Sequence, residues 1–337
     1  MMARLRVAPA GLALVLALLA ALAIAPPLIG GYLLRALTSY LIFGLLALAV
    51  GLITGHGRLF NLGVGATFGV SAYTVAILTH QGAFNPFLLL GASLLAGVVV
   101  ALLFSFYAVV ASGTEYLMLT FLTTLAFAAL PLASIELTGG DNGLNVLGGL
   151  QASFGLNPLI GPGFYWFTLA VVVVCTGLSW YVLASQTGRA IQAIGRNPVR
   201  ASAMGYDVAA YRTALTIYAC IIASLGGWLY SLQNAFVHTD LLGLANSTNG
   251  LVYALVGGVD TILGPLLGAA ALRSFTDQVS RGSTSSLYVG IVLIIVVYFV
   301  PDGLLGLWRR YRPGQRVPRK VEEAIAASPE PSPAKAL

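Results

Sequence analysis

Residues 164–205 of the chain read FYWFTLAVVVVCTGLSWYVLA and then, from Ser185, SQTGRAIQAIGRNPVRASAMG. The first part carries no charged side chain and is long enough to cross about 30 Å of hydrocarbon as a helix. The second part carries three arginines, in a chain of which only 8% of residues are charged and 58% are hydrophobic. This stretch therefore indicates a membrane-spanning helix that ends in a concentrated basic patch just outside the membrane.

Composition extends that interpretation to the whole chain. Mean hydropathy is +0.90 over 337 residues, which excludes an ordinary soluble protein. The net charge of +6 reflects where the arginines lie relative to the bilayer, so we expect no nucleic-acid partner. Cys175 and Cys220 both fall in apolar runs and predict neither a disulfide nor a metal site. The predicted fold class is an all-α polytopic membrane protein.

The arginines orient the predicted spans. Apolar segments occupy residues 8–29, 33–53, 62–78, 87–111, 116–135, 164–184, 215–236, 251–272 and 287–300. The positive-inside rule places the N-terminus, Arg58, the loop 185–212 and the tail on the inner side. The connections 136–163 and 237–250 contain no Lys or Arg, so we expect them to face outward.

Parity decides the number of spans. To return the basic tail to the inner side, the segment 251–272 must split into two crossings near residues 257–260. The result is about ten transmembrane helices with both termini inside. It places Arg273 and Arg281 outside, against the same rule.

The ends of the chain carry their own signals. Arg4 and Arg6 precede an apolar run that imitates a signal peptide, but Pro26 and Pro27 favour an uncleaved first span. We expect a permease domain over residues 1–308 and a basic, then Pro/Ala/Ser-rich, disordered tail over residues 309–337. Glycine-rich, interrupted segments at 51–69 and 257–268 are compatible with a weak inverted repeat.

The loop 185–212 has helix-capping residues of its own. Gly195 is predicted to end a short helix that begins near Thr187. Asn197 and Pro198 read as the N-cap and first residue of a second short helix, which Gly205 closes. A simple positive-inside anchor needs no caps, so the pattern favours a shaped docking surface. Its candidate residues are Gly188, Arg189, Ile194, Arg196, Asn197, Arg200 and Gly205.

A second candidate site follows residue 60. Gly63, Gly65 and Gly69 form a small-residue pattern that allows close helix packing. The alternative is a discontinuous or closely packed helix that lines a substrate path, with Asn61 as a cap at its start and Tyr73 further along. Both interpretations stay open at this point.

Several activities lack the residues that they require. Lys320 and Lys335 are the only lysines and no Gly-x-x-x-x-Gly-Lys-Ser/Thr occurs, so the chain cannot bind ATP through a P-loop of its own. A secondary carrier needs an intramembrane ionisable group, yet the acidic residues, Asp277 included, all fall at or near predicted span ends. An intramembrane enzyme needs clustered His, Asp or Cys, which are absent. A purely structural subunit is compatible with everything except the capped loop. We expect that the chain is not an enzyme and holds no metal or cofactor. We also expect that a soluble ATPase bound to the loop supplies the energy.

Five stretches of the sequence resemble one family, the LivM-type permeases of branched-chain amino acid ABC importers, over most of residues 33–307. The most specific match is TGRAIQAIGRN at 187–197, which is similar to the family's cytoplasmic coupling segment. The others are NLGVGATFGVSAYT at 61–74, YLMLTFLTTLAF at 116–127 with LTGGDNGL at 137–144, LVGGVDTILGPLLG at 255–268 and PDGLLGL at 301–307.

The resemblance implies a type II importer permease in the bacterial inner membrane, with both termini cytoplasmic. Its partners would be a second homologous permease, two cytoplasmic ABC ATPases and a periplasmic solute-binding protein. Arg189, Arg196, Asn197 and Arg200 would face the ATPase. The sequence departs from the family at Asn61, where Ser is usual, at Val64, where His is usual, and at Glu115. Related permeases serve urea, amides or carboxylates, so these substrates remain alternatives to hydrophobic amino acids.

Overall fold

A computed structural model describes residues 30–111, 113–146 and 162–279, and within these ranges the chain is mostly helical. Five of the described helices are long and apolar enough to cross a membrane. The predicted segments 8–29 and 287–300 and the tail 309–337 lie outside the described residues. The helices are α1 Gly31–Gly51, continued by a π-helical turn Leu52–His56, α2 Val64–His80, α3 Pro86–Val110, α4 Thr114–Ala133, α5 Ile135–Thr138, α6 Pro162–Ala184, α7 Gln186–Arg196, α8 Pro198–Ala203, α9 Val208–Asn234, α10 Leu244–Gly257 and α11 Gly264–Val279.

Helices α1 and α9 form the centre of the bundle. They run antiparallel, since Gln233 Nε2 donates to Arg35 O at one end and Gly57 meets Leu215 at the other. Every residue of α1 from Ile42 to Gly51 is buried, as expected for a helix that is apolar on all sides. Helices α3, α4 and α6 expose long apolar faces instead, with side chains such as Phe87 and Tyr181 about three-quarters exposed. The two long helices α1 and α9 are therefore mostly buried, whereas α3, α4 and α6 present apolar faces suited to lipid.

Helix α2 is short because an irregular segment replaces its first turns. Residues 57–63, which we call the first lead-in, run from the end of α1 to the start of α2. The amide of Leu62 donates to Thr120 Oγ1 and its carbonyl accepts from Thr124 Oγ1, both on α4. Thr124 lies about 15 Å along α4 from Thr114 at about 1.5 Å per residue. The first lead-in is thus non-helical backbone at membrane depth, which is tolerated where protein satisfies its polar groups.

The predicted split of the segment 251–272 is confirmed as a helix break. Helix α10 ends at Gly257 and α11 begins at Gly264, and the two helices are antiparallel neighbours, with Gly257 packed on Gly264 and Gly268 on Tyr253. Helix α10 begins at Leu244, so the connection that we predicted over 237–250 is shorter than expected. We call residues 235–243, which connect α9 to α10, the second lead-in.

The two lead-ins give the fold an internal symmetry of direction. In each case a long central helix is followed by a segment without α-helix and then by a shorter α-helix, and α1 and α9 run in opposite directions. The weak inverted repeat, with which the glycine-rich segments 51–69 and 257–268 are compatible, stays a prediction.

The end of the bundle far from Arg58 carries a short strand pair. Strands β1 Leu144–Asn145 and β2 Phe236–Val237 are antiparallel, with Leu144 opposite Val237. They are the only strands in the described ranges. The amide of Val146 extends the ladder with a 2.8 Å bond to Ala235 O. Gly143, at φ +66°, lies against the carbonyl of Val237, where a side chain would not fit. Two connections that lie far apart in the sequence are thereby joined.

Candidate functional site

Helix α7 lies across the ends of the central helices with one apolar and one basic face. Ser185 caps it, since its hydroxyl accepts from the amide of Gly188. Ala190, Ile191 and Ile194 are buried against the bundle, whereas Arg189 and Arg196 are exposed. We call the end of the bundle that holds α7 and Arg58 the basic end.

Two glycines hold α7 against its neighbours by close backbone contact. A Cβ on Gly188 would collide with the backbone of Leu183, at the end of α6. A Cβ on Gly195 would lie 2.8 Å from His56 O and 3.1 Å from Gly57 O. The prediction that Gly195 ends the first short helix is wrong, because α7 continues through it to Arg196. Gly195 is small because α7 touches the end of α1 there.

The predicted caps of the second short helix are confirmed. Asn197 Oδ1 accepts from the amide of Arg200 at 2.9 Å, and Pro198 is the first residue of α8. Gly205 follows α8 with φ +87°, a left-handed conformation that glycine adopts without strain. Val199 is 77% and Met204 62% exposed, beside the exposed Arg200. The surface of α8 is thus both cationic and apolar.

The loop is shorter than the predicted range 185–212. Helix α9 begins at Val208, capped by Asp207 Oδ1, which accepts from the amide of Ala210. Arg212 lies inside α9 and donates from Nη1 to Ala108 O, one of the last carbonyls of α3. Arg212 therefore joins two helices and is not part of the exposed basic surface. The sequence grouped it with the loop only because it follows three other arginines.

A cavity of about 260 Å³ lies between α7, the end of α1 and the α10–α11 break. It is lined by Gly55, His56, Arg58, Gln192, Arg196 and Asp260. Arg58 Nη2 and Asp260 Oδ1 form a 3.0 Å ion pair across it, although the two residues are 202 positions apart. Nothing in the sequence pairs them. The cavity connects the basic surface of α7 to two places where the helices are interrupted.

The three glycines of the second candidate site are all buried at helix contacts. Added Cβ atoms would collide with the Phe104 ring at Gly63 and with Ser247, on α10, at Gly65. At Gly69 a Cβ would lie 2.6 Å from Leu241 O, in the second lead-in. These contacts favour the packing interpretation. A role in lining the substrate path stays a prediction.

Asn61 holds the first lead-in in place, and it is only 1% exposed. Its Oδ1 accepts a 2.6 Å bond from the amide of Gly63, and its Nδ2 donates to Tyr116 OH at 2.6 Å. The prediction that Asn61 caps α2 is wrong, because the N-cap is Gly63, and Asn61 instead fixes the segment before the helix through one local and one long-range bond. The sequence analysis missed Thr120 and Thr124, although two threonines four residues apart on an apolar helix are a usable signal.

Tyr73, the last residue predicted for the substrate path, is buried on α2. Its hydroxyl has no hydrogen-bond partner among the described residues. The same described part of the chain contains no group of three His, Cys, Asp or Glu side chains that could hold a metal ion. The features that the candidate sites offer are close helix packing at glycines, a shaped basic surface and apolar spans.

Long apolar helices, interrupted backbone at membrane depth and a capped basic surface define a membrane permease. The family described as the branched-chain amino acid transport system permease component matches residues 32–301. The chain belongs to this family. The resemblance noted from the sequence motifs is thereby confirmed.

Several curated proteins are similar to the chain. The LivM high-affinity branched-chain amino acid permease proteins of Salmonella typhimurium and Escherichia coli are 26% and 27% identical over 301 residues. Each alignment covers 81% of this chain and 69% of the relative. The fructose import permease protein FrcC of Rhizobium meliloti is 29% identical over 43% of this chain and 43% of its own length. Relatives with this sequence pattern thus serve more than one kind of solute.

Proposed function

We propose that the chain is the membrane-spanning subunit of an ATP-driven importer, and that α7 and α8 are the surface on which a cytoplasmic ATPase docks. The observation that carries the proposal is the exposed combination of Arg196, Arg200, Val199 and Met204 on short, capped helices. Exposed apolar side chains among charges are typical of a protein contact surface. Arginine binds carboxylates and backbone oxygens through its planar fork.

The orientation and span count of the proposed importer follow from the same surface. The positive-inside rule favours a cytoplasmic basic end in the bacterial inner membrane. With the spans expected outside the described residues, the count is about ten, and both termini are cytoplasmic. The remaining partners are a second homologous permease, a second ATPase and a periplasmic binding protein.

Contacts of α7 supply a route for coupling ATP hydrolysis to the bundle. Gly195 touches the backbone of His56 and Gly57, so a displacement of α7 moves the end of α1. Gly57 begins the first lead-in, which positions α2. Gly188 makes the corresponding contact with Leu183 on α6. Close-packed elements of this kind shift as units rather than deform.

The solute is a hydrophobic or branched-chain amino acid in this proposal. Support comes from the LivM relatives, which are named as branched-chain amino acid permeases, and from the family itself. Urea, amides and carboxylates are the alternatives within the same mechanism.

Charge reversal at the basic surface tests the docking role. In the double variant Arg196→Glu with Arg200→Glu, we expect the yield of co-purified ATPase and the uptake rate to fall about tenfold, since each buried charge contact contributes substantially. Arg35→Glu reverses an exposed arginine at the opposite end and should change neither quantity. The readouts are copy number by mass spectrometry after detergent solubilisation and solute uptake in vesicles.

Two outcomes would overturn the proposal. One is normal ATPase recovery and uptake in the double variant. The other is uptake by the chain alone in ATP-free vesicles under an ion gradient, which would make the protein a secondary carrier.

A further inference from the structure

The contact between α1 and α11 holds two opposite charges. Arg273 and Asp277 lie one turn apart on α11. The Arg273 guanidinium carbon is 4.1 Å from the centre of the Phe43 ring, and Asp277 Oδ2 accepts a 2.9 Å bond from Tyr40 OH. The sequence analysis placed Arg273 on the outer face and Asp277 near a span end. The structure adds that both side chains contact the central helix α1.

Tyr40 and Phe43 show how deep this pair lies. They belong to the 26-residue span Gly31–His56 and stand about 14 and 18 Å from its first residue. The span is about 39 Å long and the hydrocarbon about 30 Å thick, so about 9 Å is in excess. Whichever end holds that excess, both aromatic residues lie within the hydrocarbon.

The two charges are kept apart and remain partly exposed. No ion pair joins Arg273 and Asp277 in the described part of the chain, and Arg273 Nε has no hydrogen-bond partner there. Each charge is held by an aromatic residue of α1 instead. Both side chains are only half-buried. A charge that faces lipid is strongly unfavourable, so ionisable residues within membrane spans face the bundle interior or a water-filled cavity, and they mark substrate pathways.

We propose that Arg273 and Asp277 form a binding site for a zwitterionic amino acid on the transport pathway, with Arg273 receiving the carboxylate and Asp277 the ammonium. The site rests on the proposed import function and names its substrate class. A guanidinium binds a carboxylate through two parallel bonds, and a carboxylate accepts from an ammonium. Phe43 packs in the core against Tyr230 at 5.8 Å and Tyr253 at 6.5 Å between ring centres, which fixes the ring that holds Arg273.

The pair of charges separates the candidate solutes. Urea and short amides are neutral and would use neither charge, which leaves both unpaired at membrane depth. A carboxylate would use Arg273 alone. Only a zwitterion neutralises both at once.

Leucine uptake by the reconstituted complex, with its ATPases and binding protein in proteoliposomes, tests the site. Arg273→Gln and Asp277→Asn should each lower the uptake rate about tenfold, since each removes a charge-assisted hydrogen bond. ATP hydrolysis stimulated by the binding protein should persist, so more ATP is consumed per leucine imported. Ser274→Ala and Thr276→Val are matched controls, because both hydroxyls bond only within α11.

Tyr40→Phe distinguishes a solute contact from a purely structural role. It removes the hydrogen bond that positions Asp277 and leaves both charges, so uptake should fall by clearly less than in Asp277→Asn. A loss as large as that of Asp277→Asn would show that Asp277 serves helix packing, and would overturn the inference. Failure of the Arg273→Gln and Asp277→Asn complexes to assemble would overturn it in the same way.

The inference and the proposed function fail differently. Wild-type leucine uptake together with unaffected uptake in both variants refutes only the site. An unmodified complex that assembles but imports no amino acid refutes the substrate class and the site together. A chain that recruits no ATPase refutes the proposed function. Labelling of Asp277→Cys by a charged water-soluble thiol reagent, with protection by leucine, gives an independent readout, because Cys175 and Cys220 are buried.

Discussion

The two lead-ins satisfy their backbone in opposite ways. The first, residues 57–63, borrows partners from α4, with Tyr116, Thr120 and Thr124 all more than 50 positions away. The second, residues 235–243, is held by backbone bonds, both within its own turns, as from Leu241 to His238, and to strand β1 through the ladder of residues 235–237. A similar order of elements thus depends on long-range side chains in one half and on backbone bonds in the other. The first half should be the more sensitive to single substitutions.

The largest effect is expected where the two short helices meet. Gly65→Val would place a Cβ within 2.6 Å of the Ser247 backbone, which cannot yield without moving α10. We expect a destabilisation of about 3 kcal/mol or more, or loss of folded protein, from such overpacking. The thermal midpoint of the detergent-purified chain measures it. Gly177→Val, at an exposed glycine with nothing within 4 Å, is the control, and equal midpoints would contradict the packing role.

Paired asparagine substitutions test the comparison directly. Asn61→Ala leaves the Gly63 amide and the Tyr116 hydroxyl without their bonds in a buried place, at a cost of about 2–3 kcal/mol. Asn246→Ala removes one 3.0 Å bond to Leu241 O and should cost about 1 kcal/mol. Thermal unfolding of the two variants side by side gives the difference. An equal or reversed order would remove the asymmetry between the lead-ins.

A smaller effect is expected at Thr124, which bonds to both its own helix and the first lead-in. Thr124→Val removes the hydroxyl that donates to the Leu62 carbonyl and should destabilise the protein by about 1 kcal/mol. Thr176→Val on α6 removes a hydroxyl that bonds only to Val172 of the same helix and is the matched control. The two variants should differ in thermal midpoint. If they match, α4 does not support the lead-in.

The smallest effect is expected from the ion pair that joins the first lead-in to the α10–α11 break. Arg58 and Asp260 side chains are 54% and 63% exposed, so their pairing should contribute less than about 1 kcal/mol and weaken with salt. A double-mutant cycle of Arg58→Ala and Asp260→Ala measures the coupling energy at low and high salt. Coupling that is large and independent of salt would show that the pair is desolvated in the assembled protein.

Signals that depend on neighbouring residues were predictable from the sequence. The apolar runs predicted the described spans, and Asn197 and Pro198 predicted the start of α8, because capping depends on residues three positions apart. The helix break after Gly257 followed from charge parity. Family membership followed from motifs distributed along most of the chain.

Contacts between distant segments were not predictable in the same way. Gly195 looked like a helix end, but glycine is needed there because a side chain would collide with the backbone of His56, which is far away in sequence. Arg212 looked like a surface charge, yet it bonds to the carbonyl of Ala108. Sequence reasoning gave Arg273 and Asp277 no partners, because a one-dimensional profile does not register their contacts with Phe43 and Tyr40. In each case the deciding neighbour comes from another helix.

The strand pair of residues 144–146 with 235–237 has a consequence for how the far end moves. Its ladder fastens the connection that follows α5 to the start of the second lead-in. A movement of one of these connections therefore moves the other. The contact between Leu241 and Gly69 passes the movement on to α2. A displacement of either connection at this end of the bundle is therefore transmitted to both halves of the chain.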